Sequence, residues 1–160
     1  MAHTPVNHPL RPLYRALAAL TGVYLVVFGI IGLIQNAGED FFAVHGARIL
    51  GQEANMFWSI VALIIGAVVL VATVLGRNLD ARADRYAGWA MLVVGSYSLA
   101  TGRTDANFLG FSIATVIVSY IVGLVLIMSG QYATIAPPSH VVPPREVPEG
   151  RVHETAGPAA

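Results

Sequence analysis

A chain of 160 residues has room for one domain of ordinary size and little more. Hydrophobic residues make up 56% of it and charged residues 11%, against roughly 25% charged in soluble domains, so a water-solvated globule would lack polar surface. Nine basic and nine acidic residues cancel, so nucleic acid is a poor partner, and the lack of cysteine excludes disulfides, thiolate metal sites and cysteine nucleophiles.

Residues 1–12 form a short polar N-terminal segment, and a transmembrane domain is expected over 13–135. Its first span, 13–34, is apolar without a charge from Ala16 to Ile34, enough to cross roughly 30 Å of hydrocarbon as a helix. The run is too long for a signal-peptide core, and Gln35-Asn36-Ala37 does not offer small residues at both cleavage positions, so the span is read as retained. The connection from Gln35 to Glu53 sets Phe41-Phe42 beside Glu39-Asp40, followed by His45, Arg48 and Ile49-Leu50. Its pattern predicts a short amphipathic helix on the outer surface. Glu39, Asp40, His45 and Glu53 match no metal-ligand spacing, and no metal site is expected.

The second span is expected over 54–76. Between Arg77 and Arg85 the charges alternate in sign, which predicts a helix extended past the membrane; contact of this loop with anionic lipid is diluted by Asp80 and Asp84. The third span, 86–102, is short and holds glycines and hydroxyls, as suits a helix that faces protein on more than one side. The fourth runs over 107–135. From 136 to 160 the chain is rich in proline and charge, and a disordered cytoplasmic tail is expected. All nine prolines fall at or before Pro12 or from Pro137 onward, so none interrupts a helix. Uninterrupted apolar runs without alternation exclude barrel strands, leaving an all-α, polytopic four-helix bundle.

Arg11 and Arg15 precede the first span, and Arg77, Arg82 and Arg85 lie between the second and third. The positive-inside bias then puts both termini in the cytoplasm. Helix packing in lipid relies on small residues, and Gly22 with Gly29, Gly88 with Gly95 and Gly102, and Gly123 with Gly130 recur at seven-residue spacing. Gly66, in Ala62-x-x-x-Gly66, adds a further small pair. Gly22-Val23-Tyr24 before Gly29 is echoed by Gly95-Ser96-Tyr97 before Gly102, and Ile60 to Gly66 by Ile117 to Gly123. The echo suggests two repeated helical hairpins.

No charged residue falls from Ala16 to Ile34 or within the other three spans, and all five histidines lie outside them, so neither a proton relay nor a haem held between helices is expected. No catalytic residue and no cofactor is assigned. Hydroxyls are the polar atoms left within the spans, and Tyr24, Tyr97 and Tyr120 are candidates for lining a cleft for a lipid or quinone-like ligand. Pro12-Leu13-Tyr14-Arg15, the glycines from Gly22 to Gly32, Phe41-Phe42, Asn55, Val122-Gly123-Leu124 and Gly130-Gln131-Tyr132 together resemble the actinobacterial four-helix membrane proteins grouped as domain of unknown function 4383. The resemblance covers about Pro9 to Tyr132 and implies a fold and a location in a bacterial plasma membrane, with no activity attached. The expectation is a non-enzymatic accessory or scaffold subunit whose partners are membrane lipids and another membrane protein. A homo-oligomeric carrier or channel for a small or lipid-like molecule is the alternative.

Overall fold

Apolar periodicity resolves into helix α1 (Arg11–Gln35), strands β1 (Ala47–Ile49) and β2 (Gln52–Ala54), then helices α2 (Met56–Leu75), α3 (Leu79–Thr101) and α4 (Ile113–Tyr132). The computed structural model describes residues 6–104 and 106–136; the proline-rich tail from Pro137 lies outside them. Pro12 sits in the first turn of α1, where its missing N–H costs nothing. Asn55 caps α2 by accepting from the Trp58 N–H, and Ser112 caps α4 by accepting from the Thr115 N–H. That cap places the start of α4 at Ile113, after an irregular stretch where the apolar run had begun at 107.

Three helices, α1, α2 and α4, are long and apolar enough to cross a membrane. Asp80, Arg82, Asp84 and Arg85 crowd the first two turns of α3, which keeps it from matching the others in composition. Its 23 residues nevertheless make it about 35 Å long, and it packs along α4 as α1 packs along α2. The charged loop therefore does extend a helix, joined to α2 by the tight turn at Gly76, Arg77 and Asn78, all with positive φ.

Glycines set the distance within each hairpin. A Cβ on Gly66 would lie 2.7 Å from the Gly22 carbonyl oxygen, and one on Gly88 would lie 2.6 Å from that of Gly123. Gly29 backs onto the Ser59 carbonyl and Leu63, Gly95 onto Ser119, and Gly130 onto Ala81 and Arg85. Gly102 meets only the carbonyls of Ser98 and Leu99, at the end of its own helix. These crossings shift the proposed internal correspondence: Gly88, not Gly95, occupies in the second hairpin the position that Gly22 occupies in the first. The Gly-x-Tyr echo had aligned the two hairpins one heptad out of step.

The connection between α1 and α2 is a β-hairpin and not the amphipathic helix expected of it. Ala47 pairs with Ala54, Arg48 with Glu53 and Ile49 with Gln52. Leu50 and Gly51 both take positive φ, as a two-residue hairpin turn requires. Alternation explains the choice: Ile49, Gln52 and Ala54 are buried toward the bundle, while Arg48 and Leu50 face out. The hairpin lies across one end of the bundle, and the termini of the described chain meet at the other.

Candidate functional site

At the hairpin end, neutral polar side chains tie the strands to the helices. Buried Asn36 donates to the carbonyls of Gly32 and Ala54 and accepts from the Ala47 N–H. Asn55 adds donation to the carbonyls of Ala43 and Phe108, which fastens the α3–α4 connection to the same knot. The Thr115 hydroxyl takes both backbone groups of Glu53, accepting from its N–H at 3.0 Å and donating to its carbonyl at 2.8 Å. Around this knot Phe41, Phe42, Phe57, Phe108 and Tyr97 pack ring against ring, and Trp58 packs on Phe111. Buried amides and hydroxyls in lipid must find partners inside the protein, and here nearly all do.

Beneath the hairpin, Tyr24, Gln52, Trp58, Met91, Thr115 and Ser119 surround a cavity of about 10 Å³, room for roughly one water. The Tyr24 hydroxyl bonds to the Gln52 amide there. Tyr97 and Tyr120 are elsewhere, which corrects the expectation of one tyrosine-lined cleft. Tyr97 donates to the Ala106 carbonyl at the hairpin end. Tyr120 pairs with Ser96 at 2.7 Å on the outer side of α3 and α4. The cause is helical periodicity: Ser119 and Gly95 face each other in the α3–α4 crossing, so residues one or two positions further turn away from it.

The opposite end is held by charge, which sequence reasoning placed in solvent. Asp80 is fully buried, accepts a hydrogen bond from Arg11 Nη2 at 3.1 Å and forms an ion pair with Arg15 Nε at 2.9 Å. Arg11 also donates to the Ala133 carbonyl at 2.8 Å, and Arg15 to the Thr73 carbonyl. Two arginines of α1 thus bind the ends of α2, α3 and α4 through the Thr73 carbonyl, the Asp80 carboxylate and the Ala133 carbonyl. Stacking of Tyr14 on Tyr132, with His8 edge-on to it, closes the same end.

Asp84, one turn beyond Asp80 and ahead of the apolar part of α3, is also fully buried, and neither of its oxygens has a hydrogen-bond partner among the described residues. Burial first, and the neighbouring Asp80 carboxylate second, push its pKa up to about 7 against the pull of Arg15. A signal for both acids existed in the sequence. Extending the stripe of Gly95, Met91 and Gly88 backwards by steps of three and four reaches Asp84, Ala81 and Asp80, all buried.

Among the described residues no group of three or more His, Asp or Glu side chains gathers as a metal site would need. The arrangement does mechanical work: it fixes four helices at both ends and leaves apolar flanks toward lipid. No curated protein and no solved structure matches the chain. The model of the family described as Domain of unknown function (DUF4383) matches residues 15–132, from the second arginine of the charged knot to the tyrosine stacked over it, and the chain belongs to that family.

Proposed function

We propose that this protein is a non-catalytic subunit or scaffold that packs its lipid-facing surface against a larger membrane complex. In this reading all four helices cross the bilayer, α3 with its neighbours' help, and the arginine end with both termini faces the cytoplasm of a bacterial cell, following the bias of Arg11, Arg15, Arg77, Arg82 and Arg85. The observation that carries it is the filled interior. Where all four helices and the hairpin meet, the free space is about 10 Å³, far below the roughly 300 Å³ or more of a small-molecule site. The polar groups that might have lined a path are engaged in holding the helices together, which favours a structural role.

Intact-complex mass measurement on material extracted from native membranes in mild detergent tests the proposal. A defined assembly with another membrane protein is expected. A chain that runs alone, or only with itself, counts against it. Purified protein in liposomes should conduct no small solute; flux there would favour the homo-oligomeric carrier.

A further inference from the structure

The two hairpins pack closely within themselves and loosely against each other across α2 and α3. That looseness opens a groove of about 430 Å³ at the arginine end, walled by Val68, Val71, Leu75, Leu79 and Ala83, with Arg82 as the one charged residue in its lining. From Ala67 to Leu75 the groove follows eight steps of α2, about 12 Å of rise, close to the roughly 15 Å depth of one leaflet's hydrocarbon. Arg82 also lines a second hollow of about 320 Å³, shared with Arg85, Tyr86 and Trp89. A greasy slot and a cationic, aromatic-edged hollow therefore meet at one guanidinium.

Charge sorting on α3 makes the place selective. The alternating acids and bases of its first turns are divided by the helix: Asp80 and Asp84 are fully buried, whereas Arg82 is exposed. Neither Arg82 nor Arg85 forms an ion pair among the described residues. The aspartates that diluted a lipid contact on paper are turned away from it. Tyr86 and Trp89, 77% and 59% exposed, stand where amphipathic rings favour the headgroup level. A second groove between the same helices at the hairpin end, lined by Phe57, Val61, Val93 and Tyr97, has no charged residue in its walls.

We infer that the arginine-end groove between α2 and α3 is a binding site for one anionic phospholipid, with an acyl chain along α2 and the headgroup phosphate at Arg82 and Arg85. Guanidinium forks suit a phosphate oxygen pair, and the apolar slot excludes a soluble phosphate as the natural occupant. The site goes beyond the subunit reading and stands or falls apart from it, since it needs no protein partner.

The test uses the full chain in mild detergent, exchanged into mixed micelles holding equal amounts of phosphatidylglycerol and phosphatidylcholine with the same acyl chains, with bound lipid counted by native mass spectrometry. Phosphatidylglycerol should be retained preferentially, the preference falling about fivefold in Arg82→Gln and nearly to parity in the Arg82→Gln/Arg85→Gln double variant. Arg82 is exposed and holds no ion pair among the described residues, whereas Arg85 donates to the Ala81 carbonyl of its own helix, so the Tm of the double variant is required to match that of the parent before its lipid count is compared. Val71→Trp, which fills the slot, should lower retention of both lipids. Arg103→Gln, at the hairpin end, should change nothing. Equal retention of the two lipids by the unaltered chain, an unchanged preference in the double variant, the same loss in Arg103→Gln, or displacement of the lipid by glycerol phosphate would each overturn the assignment.

Discussion

The two ends of this bundle solve one problem with different chemistry. At the hairpin end, Asn36, Asn55, Gln52, Ser112 and Thr115 fasten loops to helices through neutral hydrogen bonds. At the arginine end, Arg11 and Arg15 converge on Asp80, with Asp84 buried behind. Neutral bonds tolerate burial because each donor finds an acceptor and no charge is desolvated. Buried charge holds four chain segments at one point, but it makes that end sensitive to any change that unbalances it. The contrast teaches where such a protein is vulnerable: the ends should respond differently to pH and to loss of a single group.

Removing Asp80 should have the largest effect. Asp80→Ala leaves Arg11 and Arg15, 22% and 30% exposed, without the carboxylate that pairs with both, and loss of one partner from a buried ion pair costs about 3 to 5 kcal/mol. Thermal unfolding in detergent should show a marked fall in Tm. A loss no larger than that of an exposed surface pair would mean that the arginines are held mainly by the Ala133 and Thr73 carbonyls.

Asp84 sharpens the comparison through pH. Its folded pKa, pushed up to about 7, stands above the ordinary value of 3.8, so between those values the folded chain keeps a proton that the unfolded chain has lost. Folding stability from this group is therefore greatest below about pH 4, declines as pH rises, and levels off above about pH 7. Asp84→Asn imitates the protonated form permanently. The variant should match the parent near pH 4 and exceed it above pH 7 by on the order of 2 to 4 kcal/mol. Parallel Tm profiles from pH 4 to 9 would show that Asp84 is charged without penalty.

How much of this was legible beforehand differs between the ends in the same way. Long uncharged runs fix helices whatever their neighbours, so α1, α2 and α4 and the glycine stripes could be read directly. Asp80 and Asp84 were read as solvated because charge alternation is the usual mark of an exposed face; only the position of Arg11 and Arg15, nearly seventy residues away in sequence, makes their burial tolerable. The hairpin was missed for a related reason. Its strands are three residues each, too short for their alternation to stand out in the sequence, and Asn36 and Thr115, which lie outside it, fasten it in place. Tyr24, Tyr97 and Tyr120 were grouped by shared chemistry, but helical phase separates them. Local pattern finds elements; long-range polar partners have to be seen.

The smallest expected effect probes the neutral end on its own terms. Thr115→Val keeps the shape of a side chain that is 1% exposed, so no cavity opens and only the hydroxyl is lost. That hydroxyl serves both backbone groups of Glu53. Ser112 Oγ already lies 3.4 Å from the Glu53 N–H and can take over as acceptor, which leaves the Glu53 carbonyl, and the Ser112 hydroxyl that bonded to Thr115 at 3.0 Å, as the groups to be satisfied anew. One hydrogen bond of this kind is worth about 1 kcal/mol, and no proton is gained or lost. The Tm of Thr115→Val should lie below that of the parent by the same few degrees at every pH from 4 to 9. A difference that varied with pH would mean that the hairpin end is coupled to the charged end through the bundle.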